Sequence, residues 1–582
     1  MATANDNRTP AGMMRGDTLE LHLEVREGRW YPQSDSGPHV DAPVFAEVGK
    51  LPQVPGPLIR VKRGTVIALM LHNSLTDSAV TVHGLATRPA SESDSIVLQP
   101  RETRSLRFLA GEAGTYLYRA TVGTVDWELR EREQLAGAFI VDSASGVQDR
   151  VFVINIWGEP SDSTNYLNAL AINGRSWPHT ERVAATIGDS LRWRWINASI
   201  RPHPMHLHGF YYLVDALGST TRDSVYADSA RRLVVTEVMA PGSTMSMTWS
   251  PDRDGQWLFH CHIGFHVIPE TRLDAHAVGK HDALSQDAGI HMAGLVLGVE
   301  VSAPAGWREP PRGTARPIRL HVHEGKPRAR APRSMGYVLQ QGDVPPSRDS
   351  LVRSNPLLVM HKGEPVDITV INHLNEATAV HWHGIELESY SDGVAGWSGS
   401  AKRVAPMIAP NDSFTARLTL PRAGTFMYHT HLGDFVQLTS GLFGGLIVLE
   451  PGNPYDPTTD HAYVAGWDGP EDPPHLMING DSVGTPAHFA FGKVHRLRFM
   501  NVGVAVPIKA RLTRDTSLVT WRAIAKDGAD LPRAQRVVRP AEMSLNVGET
   551  ADFEFRPRAR GQYLLSIRAG PRPPVEQRIT VR

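Results

Sequence analysis

The chain has 582 residues, enough for roughly four domains of about 150 residues each. Its 60 lysines and arginines nearly balance 61 aspartates and glutamates, which argues against a polyanion-binding protein, so no nucleic-acid partner is expected. No run of about 18 apolar residues occurs, so no membrane-spanning helix or membrane partner is expected, and a single cysteine, Cys261, excludes an intramolecular disulfide.

Met1 to Asp17 is polar and lacks the apolar centre of a signal peptide, which leaves the compartment open. Beyond it the chain reads as short β-type runs broken by Gly, Pro, Asn and Asp. Examples are Val66-Ile-Ala-Leu-Met-Leu71, Val151-Phe-Val-Ile-Asn-Ile156, Leu191-Arg-Trp-Arg-Trp-Ile196 and Val366-Asp-Ile-Thr-Val-Ile371. With 43 prolines and 51 glycines, this spacing predicts an all-β protein of sandwiches or barrels. A proline-rich stretch, Pro304 to Pro317, reads as a linker between two halves.

The halves repeat each other at a period of roughly 300 residues, a duplication and not a solenoid. Ala113-Gly-Thr-Tyr-Leu-Tyr118 matches Ala423-Gly-Thr-Phe-Met-Tyr428, Ile172-Asn-Gly174 matches Ile478-Asn-Gly480, and Gly255-Gln-Trp-Leu258 matches Gly561-Gln-Tyr-Leu564. Each half itself divides into two β domains. The expected domains are 16–145, 146–302, 316–452 and 453–582.

Histidine is abundant, at 26 residues, and four His-x-His pairs stand out. They are His206/His208 within His203-Pro-Met-His-Leu-His-Gly209, His260/His262 around Cys261, His381/His383 in His381-Trp-His-Gly384, and His429/His431 in Tyr428-His-Thr-His431. On a strand each pair directs two imidazoles to one face. His260 and His262 then face one way and Cys261 the other, with His266 one turn beyond. Neutral imidazole suits copper, and two histidines with a cysteine suit a blue copper centre.

These four segments resemble the four copper motifs of multicopper oxidases, the laccase-like blue oxidases, whose domains are cupredoxin-like Greek-key β barrels. The resemblance implies four such domains in two tandem halves. It implies about four copper ions per chain, one type 1, one type 2 and two type 3. His203, Cys261 and His266 would bind type 1 copper, and His206 and His381 type 2. His208, His260, His262, His383, His429 and His431 would bind the type 3 pair. The motif order is unusual, because the cysteine motif comes first. Thr81-Val-His-Gly84 and Tyr118-Arg-Ala-Thr121 stand where the first domain would carry ligands, and only His83 survives there. Ser566-Ile-Arg568 and Arg572 replace the cysteine motif in the fourth domain. The chain thus resembles two fused two-domain laccases that keep one complete ligand set, in domains 2 and 3.

The family places an acid near type 2 copper at the spacing Asp392 has from His381, which implies a proton-relay role for Asp392. A second acid expected after His266 is replaced by Val267, and the usual axial position is Thr271. His291-Met-Ala-Gly-Leu-Val-Leu297 resembles the strand that carries an axial methionine, so residues 267–290 read as an insertion and Met292 as the axial ligand. The insertion holds Glu270, His276, His281 and Asp287, read as solvated loop residues or as a border of the donor entrance. Cys261 and Asp392 are the expected catalytic residues. The expected reaction oxidises phenols or aromatic amines, small-molecule reductants, at the expense of O2. Alternatives are a metallo-oxidase for Cu(I), Fe(II) or Mn(II), or a non-catalytic electron-transfer scaffold. The resemblance also implies a periplasmic or secreted location and leaves room for a homo-oligomer.

Overall fold

The computed structural model describes residues 1–86, 94–123, 131–143, 148–158, 168–273, 291–327, 333–352, 355–470 and 475–582. Their regular structure is almost entirely β strand, arranged in eight sheets. Asp434–Ser440 is an α-helix among them, and no helix of the described residues is long and apolar enough to cross a membrane.

The sheets come in sequential pairs, and each pair closes over its own apolar core. The four cores are drawn mainly from Ala11 to Val141, Phe152 to Val301, Ile318 to Val448 and Tyr463 to Val581, with Val394 and Trp397 joining the second and Tyr211, Val235 and Ala529 the third. Alternation builds them: Pro365–Asn372 is buried at every second residue, so one face packs inward and the other meets solvent. Neighbours in the sheets are often distant in sequence, as Greek-key connections require. The strands His203–Leu207, Val380–His383 and Gly424–Thr430 are instead buried at every position. They carry His206, the His381/His383 pair and His429, and their second face looks into a neighbouring section.

One latch recurs in all four sections. Asn73, Asn197, Asn372 and Asn501 each end a strand, and each is buried. Each Oδ1 accepts the backbone N–H two residues on, at 2.9 to 3.1 Å. Each Nδ2 donates to carbonyls of a crossing segment. The larger duplication is equally plain. Tyr118 Oη donates to Pro57 O at 2.6 Å and Tyr428 Oη to Pro356 O at 2.7 Å. Each ring lies flat on a glycine, Gly137 or Gly444, where a Cβ would come within 2.4 or 2.3 Å.

The first and second sections share an apolar seam of Leu58, Leu117, Ala138, Ile140, Val151, Val153 and Ile196. Met427, Phe443, Val464 and Met500 join the third and fourth in the same way. The second and third are joined differently. Gly399 pairs in register with Gln256 of the Gly255–Cys261 strand, Ser389 Oγ donates to Gln256 O at 2.6 Å, and Trp397 Nε1 donates to Trp257 O at 3.0 Å. The loop holding Asp392 is thereby fixed to the strand holding Cys261.

Candidate metal centre

His203–Leu207 lies antiparallel to Gly255–Cys261, with Met205 opposite Cys261 and His206 opposite His260. Met205 and Cys261 point into the core of the second section. His206 and His260 point the other way, toward the third section, where His381 lies opposite His429. The alternation read from the sequence is the alternation seen.

On the core side, Cys261 Sγ lies 3.6 Å from His203 Nδ1 and 3.4 Å from His266 Nδ1, and the two nitrogens are 3.2 Å apart. His203 Nε2 meets Ser199 Oγ at 2.8 Å, and that hydroxyl donates onward to Asn197 Oδ1. A proton on Nε2 leaves the Nδ1 lone pair facing the sulfur. His266 sits in the short turn Gly264–His266, held by Gly264 N donating to Val504 O at 2.8 Å. All three side chains are buried. Burial, helped by Arg201, pulls His203 down to about 3, and burial pushes the Cys261 thiol up to about 12. Such a thiol ionises only beside a cation.

On the other side eight histidines meet. His206, His208 and His381 form one set, His208, His260 and His431 a second, and His262, His383 and His429 a third, each with donor atoms within 4.8 Å of one another. Backbone and carboxylate acceptors fix the outward nitrogens. His206 Nδ1 donates to Val235 O, His260 Nδ1 to Cys261 O, His381 Nδ1 to Asp392 O and His429 Nδ1 to Thr430 O, at 2.7 to 3.0 Å. His383 is reversed: its Nε2 donates to Gly548 O at 2.8 Å, and its Nδ1 faces His262 Nε2 at 3.2 Å. Burial first, then the neighbouring imidazoles, lowers His206, His208, His383 and His429 well below the ordinary histidine range. They are neutral, with lone pairs turned inward.

This arrangement fits metal ions. His206 Nε2, His381 Nε2, His429 Nε2 and both His431 nitrogens are buried with no hydrogen-bond partner. Leaving so many polar atoms unsatisfied costs folding energy unless something else coordinates them. An all-imidazole set suits copper, and two imidazoles with one thiolate suit it particularly.

Asp392 is fully buried between two of these histidines. Its Oδ2 accepts from His208 Nδ1 at 2.9 Å and from Ser398 Oγ at 3.0 Å. Its Oδ1 lies 3.4 Å from His381 Nδ1 and has no hydrogen-bond partner. Met292 is buried in the same core as Cys261 and Val267. Two residues on, Gly294 abuts the His266 carbonyl, where a Cβ would come within 2.4 Å. Residues 274–290, with His276, His281 and Asp287, lie outside the described residues. In the first section His83 lies opposite Arg119, the counterpart of His429, so a cation stands where an imidazole would be needed. In the fourth, buried Ile567 occupies the place of Cys261.

Sequence reasoning missed the supports. Ser199, Thr236 and the Gly548 carbonyl orient ligand rings, and the fourth section supplies the last of these although it holds none of the ligand motifs. Thr236 Oγ1 lies 3.1 Å from His206 Nδ1, and its backbone N–H bonds Asp527. Only the Asn-x-Ser turn at Asn197 left a local trace in the sequence.

A family model described as multicopper oxidase matches residues 50–146 and again 354–453, and a second model of the same description matches 152–271. Among curated relatives, a copper resistance protein A homolog of Pseudomonas syringae pv. tomato is 36% identical over 124 residues, covering 21% of this chain and 20% of that protein. Laccase-2 of Fomitopsis schrenkii is 35% identical over 149 residues, covering 23% of this chain and 27% of its own length. The chain therefore spans only about a fifth to a quarter of these relatives. A solved blue copper oxidase from Nitrosomonas europaea aligns with a TM-score of 0.38 at 22% identity, over 49% of this chain and 86% of that one. With matches across just over half its length, and ten histidines and the cysteine gathered as the motifs require, the chain belongs to the multicopper oxidase family.

Proposed function

We propose that this chain is an oxidase that takes single electrons from phenolic or aromatic-amine donors and passes them to O2, reducing it to water. The observation that carries the reading is the position of Cys261. Its sulfur joins His203 and His266, while its covalent neighbours His260 and His262 belong to two other histidine sets. One residue thus links a one-electron entry site to a multi-electron site through a few bonds. About four copper ions, when bound, supply the redox chemistry: electron acceptance at the cysteine set and O2 reduction at the histidine sets.

The chain's own residues do the rest. Neutral, pre-oriented imidazoles hold the metal without rearrangement. The buried walls keep the multi-electron site dry. Asp392 is the proton carrier: Oδ2 fixes the His208 ring, and the unpartnered Oδ1 is the atom that takes and passes a proton. Met292, buried in the same core as Cys261, would offer its thioether to the metal held by the cysteine set. The four sections are four cupredoxin-like domains, the second and third being catalytic and the outer two structural.

The test is O2 uptake by the purified, copper-loaded chain with a panel of phenols and aromatic amines beside Cu(I), Fe(II) and Mn(II). Faster uptake with the organic donors supports the reading. Uptake only with a metal ion would make it a metallo-oxidase, and none with any donor would make it an electron carrier.

A further inference from the structure

Another His-x-His pair, His321-Val322-His323, lies on the strand Arg316–Glu324, among residues the centre above does not use. Ile318, Leu320 and Val322 turn into the core of the third section, so His321 and His323 share the opposite face. The strand runs parallel to Pro365–Asn372 with Val322 beside Asn372, and His373 N donates to Val322 O at 3.0 Å. His373 is thereby brought alongside His323. The three rings lie within 6° of parallel, with centroids 4.4 to 6.1 Å apart, and one nitrogen from each lies within 4.8 Å of the others.

We propose that His321, His323 and His373 form an additional binding site for a copper(II) ion, separate from the cysteine set and the eight-histidine sets. Four observations support it. Gln340 Oε1 lies 2.9 Å from His321 Nε2, so it accepts that proton and leaves a lone pair on Nδ1, turned toward His373. His321 Nδ1 lies 2.9 Å from His373 Nε2, close to the spacing of about 3 Å between nitrogens bound at about 2.0 Å to one ion. His323 bonds the Pro346 backbone, yet its Nε2 is buried with no partner. His373 is exposed, so its ring can swing inward and an ion can enter from solvent.

The donor set selects the metal. It holds imidazoles and no carboxylate, which disfavours ions that seek anionic oxygen. Nitrogen-donor sites bind Cu(II) more tightly than the other divalent first-row ions. The site stands independently of the oxidase reading, because it needs no electron transfer.

The test is equilibrium dialysis of the metal-free full chain against copper(II) sulfate, with copper per chain and the paramagnetic resonance spectrum recorded. His373→Ala, at an exposed position, and His323→Gln are compared with the unaltered chain. Each variant should hold about one copper fewer, lose a signal typical of nitrogen-ligated Cu(II), and keep the full blue band. Equal copper content in all three proteins would overturn the proposal. A blue band that falls together with the lost copper would overturn the site's independence.

Discussion

Cys261 and its two histidine neighbours face opposite ways because consecutive strand side chains do, and that single fact divides the centre into two compartments. Cys261→Ser should therefore abolish the intense blue absorption while copper bound by the eight-histidine compartment stays, which absorption and metal analysis together would check. Asp392→Asn keeps a side chain of the same shape but cannot carry the proton. In the proposed relay, turnover with O2 should fall by about 100-fold with copper content preserved, measured as O2 uptake beside metal analysis. Met292→Leu should leave the blue colour and raise the potential of the cysteine-set copper if the thioether is axial. An unchanged potential would reduce Met292 to core packing.

At the level of elements, strands place the ligands and a loop joins the sections that share them. Gly255 has φ near +119°, and a Cβ there would come within 2.3 Å of Ser389 Cβ. Gly255→Ala should cost roughly 1–3 kcal/mol and loosen the contact that holds Asp392 under His208, visible as a lower melting temperature and weaker copper retention. The duplication and the ligand-bearing strands were legible in the sequence, because motifs such as His381-Trp-His-Gly384 combine local chemistry with strand alternation. The Asn73, Asn197, Asn372 and Asn501 latches escape a local reading, because their carbonyl partners lie tens of residues away. The seam through Gly399 and Trp397, and the Gly548 carbonyl on His383, follow from how whole sections dock. No local pattern of residues encodes such docking.

For the whole molecule, one chain gathers the ten histidines and Cys261, with the second and third sections supplying the side chains and the fourth closing the far side through Gly548, Thr550 and Asp527. Diluting the copper-loaded protein to a monomer, followed by light scattering, should leave the blue band and copper content intact. Many buried histidines also tie stability to pH. His203 and His260 have folded values lowered to about 3 and about 4, against an ordinary 6.5, so the unfolded chain binds more protons over that interval. Stability of the metal-free protein should be full above about pH 6.5 and fall as the pH drops toward about 3, measured as melting temperature against pH. In the proposed reaction, electrons enter singly at Cys261 and leave together as water. Its most direct test is the ratio of oxidised phenol to O2 consumed, with peroxide assayed in the same vessel. A ratio of about four donors per O2 without free peroxide is the expected result, and a ratio of about two with peroxide accumulating would contradict it.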